Sequence, residues 1–222
     1  MLLNPLFHDR ASAGEKLGQT IVSEIAKCLS SWEKKPQPIV YALPRGGLPI
    51  GLPIARLLQC PLDVIISKKI THPDNNELAL GAVTASGEVM WSKYKPRALG
   101  EQFHLLEIAQ AKAEKQLRDF ALSRLSVSAQ GALVILVDDG IATGMTMLAA
   151  AQALRAQSPQ ELWICAPVAP LEMMSFLQEE CDRVIVLETP KPFYSVSRFY
   201  REFSQVETED AIECLKQQNQ WL

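Results

Sequence analysis

Asp138 and Asp139 follow four aliphatic residues, Val134 to Val137, and precede a run of small and hydroxyl residues, Gly140-Ile141-Ala142-Thr143-Gly144-Met145-Thr146. The aliphatic run reads as a strand buried on both faces, and an Ala-rich helix (Leu148 to Leu154) follows the loop. Ligands of open α/β sheets bind at the carboxyl ends of strands. A loop entering a helix offers free backbone N–H groups and the positive end of the helix dipole, which suit a phosphate. Thr143 and Thr146 add hydroxyl donors, and Gly140 and Gly144 let the backbone come close. Two carboxylates would repel that phosphate, so they must face something else. Vicinal sugar hydroxyls, or a magnesium ion bound to them, are the natural partners. Together these residues describe a site for a phosphorylated ribose. The plainer reading, a strand end followed by a helix cap, requires this order of features to be accidental.

The elements that must position these residues alternate along the chain, which predicts a doubly wound α/β fold with a mainly parallel sheet of about five strands. Ser12-Ala-Gly-Glu15 reads as a capping box opening a helix to Trp32, with Leu17, Ile21, Ile25 and Cys28 or Leu29 on its apolar face. Strands follow at Ile39–Leu43 and Asp63–Ser67, the second ending at Lys68-Lys69, with a helix between them to about Gln59. His72 to Glu77 is loop-like, and Leu80–Ser86 and Glu88–Ser92 can pair as a hairpin across Gly87. A long helix spans Gly100 to Leu125, with Phe103, Leu106, Ala109, Ala113, Leu117 and Phe120 on one side. After the Asp-Asp strand come strands at Leu162–Ala166 and Arg183–Leu187, an aromatic segment (Thr189 to Tyr200) and a helix from about Glu207 to Gln217.

The bulk properties exclude several classes. A chain of 222 residues suits one domain with a sizeable core, and a net charge of −3 with dispersed basic residues indicates neither nucleic acid nor an anionic membrane as partner. No apolar run approaches the ~20 residues needed to cross a bilayer, and the first ten residues turn polar too soon for a signal peptide. The five cysteines are scattered without a CxxC pair, and the three histidines share no ligand spacing; a cytoplasmic protein with reduced thiols is expected. At the first strand end, Pro44-Arg45-Gly46-Gly47 sets a guanidinium fork beside two glycines at a helix start, where an anion can be approached closely. Alone, that motif could equally be a strand-to-helix turn with a surface arginine.

The run from Val134 to Met147 resembles the PRPP-binding signature of the type I phosphoribosyltransferases: aliphatic strand, Asp-Asp, small residues, Thr-Gly-x-Thr. With Leu-Pro-Arg-Gly-Gly (43–47) and Glu-Leu-Ala-x-Gly-Ala-Val (77–83), the chain is similar to a group of bacterial predicted phosphoribosyltransferases without assigned substrates. The resemblance implies a single domain over 1–222: a core of about 37–188, a lid insertion of about 70–98, and a hood from about 1–35 and 189–222. It implies that Pro44, Arg45, Gly46 and Gly47 form the pyrophosphate loop and that Lys69, with Lys68 beside it, reaches the pyrophosphate. Asp138 and Asp139 would hold the ribose hydroxyls, and Gly140, Ile141, Ala142, Thr143, Gly144, Met145 and Thr146 the 5′-phosphate. Phe193 is the first candidate to stack on the acceptor. Mg²⁺ would be bound mainly through PRPP and water, with Asp138 and Asp139 as indirect contacts and no protein-only metal site. Homodimers are common in the family.

The reaction so implied transfers the 5-phosphoribosyl group from PRPP to a nitrogen of a small heterocycle. Two alternatives stay open: a regulator that keeps the PRPP pocket without turnover, and another phosphorylated-ribose reaction such as phosphorolysis or hydrolysis. The acceptor is not specified by any motif.

Overall fold

The structure is a computed structural model that describes residues 5–222, apart from the side chains of Asn76 and Glu77. Residues 1–4, counted above in the hood, and those two side chains of the expected loop lie outside the described residues. Five strands form a wholly parallel sheet: β1 (Pro38–Ala42), β2 (Leu62–Val64), β6 (Leu133–Val137), β7 (Glu161–Val168) and β8 (Arg183–Glu188), in the order β2-β1-β6-β7-β8. The aliphatic run before Asp138 is buried at all five positions of β6, as a strand covered on both faces must be.

Alternation along the strands divides the core. Val40, Ala42, Leu133, Ile135 and Val137 point to one face, which α1 (Arg10–Cys28), α2 (Gly47–Leu58) and α6 (Thr208–Gln217) cover with Leu17, Ile21, Ile50, Ile54 and Leu215. Ile39, Tyr41, Val134 and Leu136 point to the other, against Leu148, Ala151 and Leu154 of α4 (Met145–Arg155) and Leu177 of α5 (Met174–Glu179). The helices that follow β1 and β6 therefore lie on opposite faces. The crevice outside the carboxyl ends of β1 and β6 is the switch point where an open sheet accepts ligand.

A second sheet of three antiparallel strands, β3 (Ser67–His72), β4 (Asn75–Thr84) and β5 (Val89–Trp91), packs between α4 and α3 (Leu99–Phe120). Ile70, Leu80 and Val83 close a third small core with Leu105 and Ala109 of α3. The hairpin expected across Gly87 is present, with Gly87 at φ 99°. The strand expected over Asp63–Ser67 is instead broken: β2 stops at Val64, and Lys68 and Lys69 belong to β3 of the second sheet. The region expected as a loop at His72–Glu77 is the turn and start of the β3–β4 pairing. Ile65 and Ile66, apolar and buried like Val64, span the step between the two sheets and hide it.

Two helix boundaries differ from expectation for local reasons. α1 starts at Arg10 because Asp9 is its N-cap: the Asp9 carboxylate accepts from Ser12 N–H while the Ser12 hydroxyl pairs with the Asp9 backbone N–H. The box is thus Asp9–Ser12, and Ser12–Glu15 lies inside the helix. α3 ends at Phe120, and Phe103, expected on its buried side, is exposed while Leu105 is buried. At the other end of the chain, residues 6–8 run beside 199–202. Leu6 and Phe7 N–H donate to the Phe199 carbonyl, Arg201 N–H to Phe7 and Glu202 N–H to His8.

Candidate active site

Register brings the two loops of interest together. Ala42 pairs with Val137, and Leu43 N–H donates to the Val137 carbonyl at 2.9 Å, so β1 and β6 end side by side. The Pro44–Arg45 peptide is cis, and Gly46 caps α2 in ordinary helical geometry (φ −62°). Its lack of a side chain serves packing: a β-carbon on Gly46 would overlap Asp139 Oδ2, and one on Gly47 would stand 2.8 Å from the Val137 carbonyl oxygen. Sequence suggests that these glycines open space for an anion. In the structure the β-carbon positions face the end of β6, while Gly46 also lines a cavity with Arg45 and Asp139.

The two aspartates face two adjoining cavities. Asp138 lines one of about 190 Å³ with Lys69, Gly140, Ile141, Ala142, Thr143, Gly144, Thr146 and Met147. Asp139 lines another of about 390 Å³ with Arg10, Arg45, Gly46, Phe203, Gln205 and Val206. The Asp138 carboxylate accepts from Asp139 N–H at 2.8 Å. Burial first, then repulsion from Asp139, pushes the Asp138 carboxyl well above the usual carboxylate range. Burial also raises Asp139, but the Arg10 guanidinium opposes the shift, with Arg10 Nε 2.7 Å from Asp139 Oδ2.

Gly144, in left-handed conformation (φ 72°), begins α4, and no side chain caps that helix. Thr146 and Met147 of its first turn line the 190 Å³ cavity with the exposed Thr143, at the end of the helix where N–H groups lack intrahelical partners. A β-carbon on Gly140 would meet Val196 Cγ1 at 2.5 Å, and one on Gly144 would meet Met173 Cε at 2.5 Å. The loop is therefore held from outside by the tail and by the turn before α5.

Adjacent strand positions send Lys68 and Lys69 to opposite sides of β3. Lys69 lines the Asp138 cavity. Burial lowers the Lys68 pKa, and the charges of Arg45 and Lys112 lower it further. Arg45 itself reaches Thr208 Oγ1 of α6 at 3.3 Å. Phe193 is half-buried against the core, its ring 5.2 Å from that of Phe199. The aromatics brought to the aspartates are instead Tyr200, whose hydroxyl donates to the Asp139 carbonyl at 2.6 Å, and Phe203, whose ring lies 3.7 Å below the Arg10 guanidinium. Arg10 and Phe203 carry no sequence signal of this role, and Tyr200 reads from sequence only as one of the aromatics of the tail segment. An arginine opening a helix and two tail aromatics acquire it only through the pairing of the chain's two ends.

The family described as phosphoribosyl transferase domain matches residues 13–199. The chain is 32% identical over 219 residues to Mycobacterium tuberculosis proteins, from strains CDC 1551 and H37Rv, named provisionally as phosphoribosyl transferases. That alignment takes in 95% of this chain and 46% of the relatives, so the chain spans about half the length of the curated relatives it matches. The crystal structure of TT1426 from Thermus thermophilus superposes with a TM-score of 0.79 at 30% identity, covering 97% of this chain and 98% of that one. With the signature loop, the parallel sheet and these relatives in agreement, the chain belongs to the phosphoribosyl transferase domain family.

Proposed function

We propose that this chain transfers the 5-phosphoribosyl group of PRPP to a ring nitrogen of a small heterocycle, releasing pyrophosphate, with Mg²⁺ as cofactor. The observation that carries this reading is the shared cavity of Asp138, Lys69 and the uncapped start of α4. The 5′-phosphate is gripped by N–H groups and hydroxyls from Thr143 to Thr146, and the ribose hydroxyls donate to Asp138 and Asp139. Lys69 on one side of the carboxylates and Arg45 on the other draw charge from the departing diphosphate.

The bond between ribose C1 and the diphosphate oxygen breaks with its electron pair leaving on pyrophosphate. The acceptor nitrogen then forms the new bond from the opposite face and loses its proton. Two carboxylates in place, one of them not tied to a cation, favour the positive charge that develops on the ribose. The larger cavity, under Phe203 and Gln205, receives the acceptor, with Phe203 in the stacking role that sequence suggests for Phe193. Asp138 and Asp139 would be this chain's donors to Mg²⁺, through water. When bound, Mg²⁺ would supply the charge that makes pyrophosphate the better leaving group.

The test incubates the protein with Mg²⁺, PRPP and a panel of heterocycles and follows pyrophosphate release. Release with at least one acceptor, abolished by EDTA and by Asp138→Asn, is expected. Tight PRPP binding without release for any acceptor would instead identify a regulator. No PRPP binding at all would remove the site assignment.

A further inference from the structure

The two ends of the chain meet over the ribose carboxylates, and one side chain makes the connection. Arg10 is the first residue of α1 and only 11% of its side chain is exposed. Its Nε donates to Asp139 Oδ2 at 2.7 Å, its Nη1 donates to the Ser204 carbonyl at 2.8 Å, and its Cζ stands over the Phe203 ring, 3.7 Å from the centroid. Asp9 holds the start of α1 through the capping box, and residues 6–8 are hydrogen-bonded to 199–202. The guanidinium is therefore fixed from three directions before any ligand arrives.

Resting on the phosphoribosyl reading of this site, we propose that Arg10 is a positioning residue for the ribose: by occupying Oδ2 of Asp139 it presents Oδ1 to a sugar hydroxyl. The physical argument is one of valence and charge. A carboxylate with both oxygens free turns about its Cβ–Cγ bond and offers a ligand no fixed acceptor direction. A guanidinium on one oxygen holds the plane of the carboxylate and leaves the other oxygen as the acceptor. Among the described residues no cation is hydrogen-bonded to Asp138; its Oδ1 accepts from the Asp139 N–H. The pair is thus asymmetric, with Asp139 prearranged from the hood side and Asp138 from within its own loop. Because Phe203 and Ser204 belong to the tail that covers the larger cavity, the same contact ties the hood to the donor half of the site.

The experiment measures, by calorimetry, the dissociation constants of ribose 5-phosphate, its 2-deoxy and 3-deoxy analogues, and inorganic phosphate for the wild type, Asp139→Asn and Arg10→Met. The wild type is expected to prefer ribose 5-phosphate over at least one deoxy analogue by tenfold or more, and Asp139→Asn to lose that preference. Arg10→Met should cut the preference at least threefold while its affinity for inorganic phosphate stays within twofold of wild type. A merely structural arginine would weaken all four ligands together. Should Arg10→Met fail to fold, Arg10→Lys takes its place, since one ammonium cannot reach Asp139 and Ser204 in the guanidinium's geometry. A preference unchanged in whichever variant folds overturns the role of Arg10. If the wild type binds neither ribose 5-phosphate nor PRPP, it is the phosphoribosyl reading that fails.

Discussion

Gly46 and Asp139 occupy one another's space: the β-carbon that Gly46 lacks would overlap Asp139 Oδ2. Gly46 has ordinary helical backbone angles, so alanine there carries no conformational strain and acts only through this contact. Gly46→Ala should push the Asp139 carboxylate off Arg10 and weaken PRPP binding about tenfold, the equivalent of ~1.4 kcal/mol. Calorimetric titration with PRPP checks the loss, and binding at wild-type strength would show that Asp139 does not contact the donor.

Gly144→Ala combines two costs that can be separated. Left-handed backbone costs a non-glycine residue roughly 1–2 kcal/mol, and the new β-carbon would meet Met173 Cε, the flexible end of a side chain. We expect a loss of roughly 1–2 kcal/mol in urea unfolding for Gly144→Ala. Gly144→Ala with Met173→Ala should relieve the contact without restoring phosphate affinity, because the φ of +72° still has to be held. Full recovery of phosphate binding in the double variant would place the defect in packing alone.

Asp138 links stability to pH in the direction opposite to a salt-bridged carboxylate. Its carboxyl is raised by burial and by Asp139, so the folded state holds a proton that the unfolded chain has already released above about pH 4. Stability from this group is present at low pH and is lost as pH rises from the ordinary value of 3.8 toward the raised one. Asp138→Asn should therefore raise Tm at pH 7 by at least ~2 °C, the shift that about 1 kcal/mol produces in a domain of this size. The gain should vanish near pH 4, and PRPP binding should be lost at both pH values. Thermal melts at several pH values decide it; a lower Tm for the variant at neutral pH would contradict the reading.

Lys68 and Lys69 are neighbours in sequence with different surroundings. Lys69→Ala removes the cation from the Asp138 cavity and should weaken pyrophosphate and PRPP binding by tenfold or more. Lys68→Ala relieves a partly buried charge beside Arg45 and should change those affinities less than threefold. Competition binding with pyrophosphate ranks the two, and the reverse order would move the clamp to the Arg45 side.

A control for folding lies away from the site. Asp63 on β2 is fully buried, with Arg124 donating to both its oxygens at 3.2 Å and Val127 N–H to one at 3.0 Å. Arg124→Ala leaves that carboxylate without its cation and should cost about 3–5 kcal/mol of stability, with PRPP affinity unchanged at a temperature where the variant is folded. Chemical denaturation alongside titration separates the two effects.

Much of this architecture is written in local order. Aliphatic runs such as Val134–Val137 need no context to read as double-faced strands, because a side chain on either face must find cover. The Asp-Asp pair and the Thr-Gly-x-Thr loop likewise announce carboxylates beside a helix start, since strand end, loop and helix are contiguous. Their chemistry was legible because every participating group lies within a short stretch of chain. The placing of Lys68 and Lys69 was not, since Ile65 and Ile66 carry the apolar run of Val64 across the step from one sheet to another.

Sequence by itself determined the fold class and the contiguous order of strand, Asp138-Asp139, small-residue loop and helix, all consequences of periodicity and short spacing. Only tertiary structure decided what stands against them. Residues 6–8 pair with 199–202, and that long-range contact alone carries Arg10 to Asp139, Tyr200 to the Asp139 carbonyl and Phe203 beneath the guanidinium. It also assigned Gly46 to making room for Asp139 and Gly140 to making room for Val196. A side chain's local pattern reports which face it buries; which partner waits there depends on where a distant segment of the chain comes to rest.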